Sequence, residues 1–165
     1  MSKYRRFYVP GGCYFFTLVC WRRQPLLGRA EYVALLREAL RGVMDERPFR
    51  IDAMVVLPDH LHCIWQLPVA DADFSNRWRE VKKRVTRAAG TSDFWQPRFW
   101  EHALRDENDW RRHVDYIHYN PVRHGLVNRP RDWPHSSFHQ AVLRGWRESD
   151  WGEAAPPDIQ AMDFE

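Results

Sequence analysis

The sequence predicts an α+β domain in which an antiparallel sheet carries helices packed on one face. Three observations predict it. Stretches of strand type and helix type follow one another as strand, helix, strand, strand, helix, strand, helix. Two of the strand stretches are separated only by a short turn at Pro58-Asp59, the spacing of a hairpin. The 165 residues, 44% hydrophobic with a mean hydropathy of -0.65, fit one water-soluble domain with its own core. No run approaches the ~20 apolar residues of a membrane-spanning helix.

The first strand is "CYFFTLVCW", residues 13–21, aromatic and β-branched after the turn formers Pro10, Gly11 and Gly12. A signal peptide would place a small-residue cleavage site after this run; "RRQP" stands there instead, so the run reads as a buried strand. Residues 29–46 form an amphipathic helix, with Tyr32, Leu35, Leu36, Ala39, Leu40 and Val43 on one side and Pro48 beyond its end. "FRIDAMVVLP" and "DHLHCIWQLP" are the second and third strands. A basic helix spans about 75–89, with Phe74, Trp78, Val81 and Val85 as its apolar stripe and Gly90 as its stop. "DFWQPRFWEHALR" reads as strand or extended chain. A helix over about 107–119 follows, ended by Pro121, and the remainder is shorter helix and loop.

The net charge of +3 conceals an uneven distribution. Residues 150–165 hold five acids (Asp150, Glu153, Asp158, Asp163 and Glu165) and no Lys or Arg, which leaves 25 basic against 17 acidic residues, or +8, in the rest. Six basic residues and one acid, Glu80, lie between Phe74 and Gly90. That density fits a polyanion-binding stripe; a solvated helix face is the alternative. The 24 aromatic residues, nine of them Trp, fit base stacking and a large aromatic core equally well. Cys13, Cys20 and Cys63 cannot all pair within one chain and match no zinc or redox spacing. They read as reduced thiols of a cytoplasmic protein.

Two constellations carry chemistry. His60 and His62 are i and i+2 on a strand, so both imidazoles leave one face while Leu61 and Cys63 leave the other. This is two-thirds of a metal site, although the bare pattern also fits ordinary core histidines. On the helix after residue 107, Trp110, Val114 and Ile117 form the core-facing stripe. Tyr116 and Asn120 stack beside it at i and i+4. A Tyr–Asn pair at a helix edge is the plain alternative.

"VVLPDHLHCIW", "WQPRFWEHALRDENDWRRHVDYIHYNPVRHGLV" and "DWPHSSF" resemble the REP-associated tyrosine transposases, within the wider group of HUH single-strand transposases that use one catalytic tyrosine. The resemblance runs from "YRRFYVPGGCYFFT" to about Trp151. It implies a ferredoxin-like or RRM-like α+β fold with the HUH motif on a central strand. One catalytic domain would cover 1–151, followed by an acidic, flexible tail over 152–165. The histidines of the motif fall on His60 and His62, the nucleophile on Tyr116 and a third metal ligand on Asn120, where many relatives have Gln. The implied metal is Mg²⁺ or Mn²⁺; two imidazoles suit Mn²⁺ or even Zn²⁺ better than Mg²⁺. The implied reaction cuts single-stranded DNA beside repetitive extragenic palindrome (REP) hairpins through a 5′-phosphotyrosine and rejoins it to another strand, as a monomer with Tyr116 in cis. Such an exchange conserves a phosphoester and needs no ATP site; no GxxxxGK[ST] string is present.

For DNA contact, Arg79, Lys82, Lys83, Arg84 and Arg87 could follow a backbone. Trp95, Arg98, Phe99 and Trp100 could stack bases. Arg5 and Arg6 are further candidates. The alternatives are core aromatics, a salt-bridged Arg98 and solvated charge. His118, His124, His135 and His139 read as polar surface or local structure. Two rival functions remain: a REP-binding module that does not cut, and a zinc hydrolase acting through water. In the second, Asp59 would face away from His60 if it continued the strand. The acidic tail reads as solvated or, alternatively, as lying over the basic groove in competition with DNA.

Overall fold

A computed structural model describes residues 6–165, so Arg5 lies outside the described residues. Strand β1 (Cys13–Val19) leads to helix α1 (Ala30–Glu46), then to β2 (Arg50–Val56), β3 (His60–Gln66), α2 (Phe74–Ala89), β4 (Trp100–Ala103), α3 (Glu107–Arg123) and the short α4 (Phe138–Leu143). The four strands form one antiparallel sheet in the order β2-β3-β1-β4, the ferredoxin-like βαββαβ arrangement. Asp73 caps α2 by accepting from the Asn76 amide, and Gly90 ends the helix in the left-handed region at φ 71.

Both faces of the sheet are covered. On one face Tyr14, Phe16, Leu18, Leu61, Cys63 and Trp65 pack against α1 and α2, and the Trp65 and Trp78 rings stack 4.0 Å apart. On the other, Phe15, Ala53, Val55 and Ile64 pack under Val114, Tyr116 and Ile117 of α3. The expectation of helices on one face is therefore corrected. β1 and β3 are buried almost throughout, as strands covered on both sides must be.

Two element ends also differ. β1 stops at Val19, because Trp21–Arg23 form a turn with Arg22 and Arg23 in the left-handed region, at φ 52 and 53. α3 runs through Pro121 to Arg123. The proline forfeits one helical hydrogen bond, but it is buried, and tertiary packing carries the helix another turn. That turn brings His124 to the site described below.

The segment expected to be a flexible tail is packed. Ile159 and Met162 join the core under α3, and the Arg112 and Arg123 side chains donate to the carbonyls of Asp158 and Met162. Among the described residues no helix is long and apolar enough to cross a membrane, and all three cysteines are unpaired. Burial pushes the Cys13 and Cys20 thiols up to about 12.

Candidate active site

β3 is an inner strand, and its pleat sends His60 and His62 to the α3 side while Leu61 and Cys63 enter the opposite core. Both imidazoles are anchored through Nδ1. His60 Nδ1–H donates to the Asp59 carboxylate at 2.6 Å, and His62 Nδ1 is bonded to the Thr17 hydroxyl at 2.8 Å. Asp59 does not face away as expected: β3 begins at His60, so Asp59 belongs to the turn, where strand alternation does not apply. Thr17 is opposite His62 in the β1–β3 register. With Nδ1 engaged on each ring, both Nε2 atoms remain for the site.

α3 supplies the other half. Tyr116 and Asn120 are fully buried, so they do not form a pair at a helix edge. The Tyr116 ring lies 5.3 Å from that of His62 within the same chain. Asn120 turns its amide NH₂ into the site and leaves its carbonyl oxygen buried with no hydrogen-bond partner among the described residues.

All these groups meet at the carboxylate of Glu165. Its Oε1 accepts from the Tyr116 hydroxyl at 2.5 Å and from Asn120 Nδ2 at 3.1 Å, and lies 3.2 Å from His62 Nε2 and 3.1 Å from His124 Nε2. Oε2 lies 2.5 Å from His60 Nε2. Burial pushes the Glu165 carboxyl up, but hydrogen bonds from His124, His60 and His62 outweigh it and hold the group far below the usual carboxylate range. Burial and then the hydrogen bond to Glu165 push the Tyr116 phenol well above its ordinary value. Burial lowers His62 to about 4. It acts the same way on His60, where contacts with Glu165 and Asp59 reverse the net shift to a rise.

The proposed DNA contacts divide in the structure. Lys82, Lys83 and Arg87 line a groove with Trp95 and Gln96, but Lys82 is partly committed, donating to the carbonyls of Gln96 and Pro97 at 2.9 and 3.2 Å. Arg84 is engaged by Glu46 at 2.7 Å and Glu80 at 3.2 Å. Arg79 lies at a separate depression beside the end of α1. Trp95 is 7% exposed and belongs to the core beside Phe94, which corrects its reading as an open stacking platform. Arg6 pairs with Glu101 at 2.5 Å and lies over Phe99. Arg98 and Trp100 face a cleft of about 670 Å³ that reaches Phe164 and Glu165. Gln96 lines both this cleft and the basic groove, so the two adjoin.

Sequence reasoning missed Thr17, Glu165 and His124, and read Asp59 as pointing elsewhere. His124, assigned to the surface, has its ring 5.2 Å from that of His60 and joins His60 and Glu165 in a group able to hold a metal ion. The other three assigned histidines stay out of the site: His118 is bonded to Ser137, His139 to the Trp133 carbonyl, and His135 packs near Trp133.

No protein-family model matches the chain. It is 54% identical over 151 residues to the REP-associated tyrosine transposase of Escherichia coli strain K12, covering 92% of this chain and 91% of that protein. The chain belongs to the REP-associated tyrosine transposases. A Haemophilus influenzae protein named for the same family is 38% identical over 174 residues, covering 97% of each. A solved structure of a REP-associated tyrosine transposase bound to a REP hairpin superposes with a TM-score of 0.89 at 52% identity, over 99% of this chain and 95% of that one. The four-stranded α+β fold is thus shared across nearly the full length of the chain.

Proposed function

We propose that the chain is a metal-dependent endonuclease and strand transferase for single-stranded DNA flanking REP hairpins, with Tyr116 as its nucleophile. The supporting observation is the convergence of the Tyr116 hydroxyl, two imidazole Nε2 atoms and the Asn120 amide on one carboxylate. A carboxylate is an anion with two oxygens, as a phosphodiester is at its non-bridging positions. The match to a REP-bound relative supports the choice of DNA.

The residues fit a divalent cation. Two Nε2 atoms are oriented from behind, and a half-turn of the Asn120 amide would bring its carbonyl oxygen, buried without a partner among the described residues, to the place where its NH₂ meets Glu165. His60, His62 and Asn120 would hold the ion, with His124 within reach. Once bound, it would polarise a phosphate oxygen and stabilise charge in the transition state. The chain does the rest. Tyr116 Oη attacks phosphorus and loses its proton to solvent. The bond from phosphorus to the 3′ oxygen breaks, and that oxygen takes up a proton as a free 3′-hydroxyl. The 5′-phosphotyrosine then yields to a 3′-hydroxyl of another strand, which restores the phenol.

Thr17→Val tests the histidine support. It keeps the side-chain shape and removes the partner of His62 Nδ1. Mn²⁺ affinity by titration calorimetry is expected to fall roughly 10- to 100-fold. An unchanged affinity would show that the Thr17 hydroxyl does not support metal binding through His62.

The basic groove gives a second test. Lys83→Ala and Arg87→Ala should each weaken binding of a single-stranded oligonucleotide and reduce the salt slope, log K against log salt, by about 0.7. Arg84→Ala, whose guanidinium is already paired, should leave the slope unchanged. Equal effects from all three would mean that the groove does not select among them.

His124 and Glu165 beside His60 keep a second reading open, a zinc hydrolase acting through water. Stoichiometric zinc in the purified protein together with cleavage that leaves no covalent adduct would favour it.

A further inference from the structure

Phe164 stands immediately before the carboxylate that fills the site, and its ring occupies an aromatic slot. It lies near-parallel to Trp100, with centroids 5.0 Å apart and planes at 20°, and near-parallel to His113, at 5.2 Å and 21°. Tyr116 meets it edge-on at 5.2 Å, and Phe15 closes the inner side at 5.2 Å. The walls are supported independently of Phe164. Trp100 is on β4 opposite Thr17, and the Phe15 ring touches both Trp100 and His113. His113 Nδ1 donates to the Asp109 carbonyl at 2.7 Å, while the Asp109 carboxylate is bonded to His102 at 3.0 Å.

One further observation points to a ligand other than phenylalanine. His113 is 3% exposed, its ring stacked between those of Phe164 and His102. Trp100, by contrast, is 37% exposed and opens onto the cleft that holds Arg98 and Arg23. That cleft is wide enough for the flanking sugar and phosphate.

We infer that the slot walled by Trp100 and His113 receives an unpaired base next to the scissile phosphate, with Phe164 and Glu165 standing where the base and phosphate of one nucleotide would lie. Trp100 and His113 supply the stacking surfaces. The inference rests on the proposed DNA-cutting function and adds to it the place where the reacting nucleotide is gripped. Aromatic planes bind any base by its face, so the slot contributes affinity and register rather than a choice among bases.

The test uses the full chain and a REP hairpin oligonucleotide whose single-stranded flank carries 2-aminopurine at one position at a time. Stacking quenches this fluorophore. One position should be quenched far more than its neighbours. Trp100→Ala should weaken that occupancy roughly 5- to 100-fold, the range expected for one stacked base. Trp100→Phe should restore it, and Phe164→Ala should deepen the quenching by removing the competitor. Uniform quenching along the flank, or quenching that neither Trp100→Ala nor Phe164→Ala alters, overturns the slot. Fluorescence needs no cleavage, so the two readings separate. A chain that quenches one position without cutting keeps the slot and loses the endonuclease function. A chain that cuts without position-specific quenching loses the slot alone.

Discussion

Tyr116→Phe is expected to abolish cleavage of a REP hairpin oligonucleotide and the covalent protein–DNA adduct, while DNA still binds. The loss should be on the order of a thousandfold or more, because the nucleophilic oxygen itself is removed. The ring would keep its contacts with Phe15, His62 and Phe164, so the fold has no reason to fail. Denaturing gels with labelled DNA and Mn²⁺ check it directly. A persistent adduct would move the nucleophile elsewhere. Persistent cleavage without an adduct would favour attack by water, the zinc hydrolase reading.

Glu165→Ala separates two roles for the carboxylate that fills the site. Glu165 occupies the common contact point of His60, His62, Asn120 and Tyr116, the space the proposed cation and phosphate would take. Removing it should raise the initial cleavage rate about tenfold or more, as expected if the competent form is the minor population. A fall in rate would instead make Glu165 the acceptor of the Tyr116 proton, a role its 2.5 Å hydrogen bond from the phenol also allows. The tail does not lie over the groove of Lys83 and Arg87; it reaches the histidines directly. Affinity for DNA that touches only the basic groove should therefore change little.

Local periodicity alone makes half of this site legible in the sequence. The two-residue period of a strand sends His60 and His62 to one side, and the i, i+4 spacing of a helix aligns Tyr116 with Asn120. The order of elements likewise anticipates the βαββαβ course. What escapes depends on contacts between distant parts of the chain. Thr17 supports His62 across 45 positions and Glu165 meets it across 103, and no local pattern encodes either pairing. The side of the sheet taken by α3 is hidden for a related reason. The apolar run of β1 fits cover on both faces, which the one-face expectation passed over, and it does not encode which helix covers which. Pro121 misleads because the packing of its own turn outweighs a lost hydrogen bond. The basic stripe on α2 looks uniform in sequence, yet Glu46 and Glu80 neutralise Arg84 and leave Lys83 and Arg87 at the groove.

The burial of Ile159 and Met162 beneath α3 has a quantitative consequence for the site. Glu165 follows the anchor at Met162 by only three positions. A group tethered so closely acts as a ligand at an effective concentration in roughly the millimolar range, whatever the amount of protein in solution. Under the proposed function DNA would have to displace this intramolecular competitor, and dilution of the protein would give it no advantage. A substrate that held the chain at a second point, as the proposed hairpin beside a single-stranded flank would, answers one tether with another.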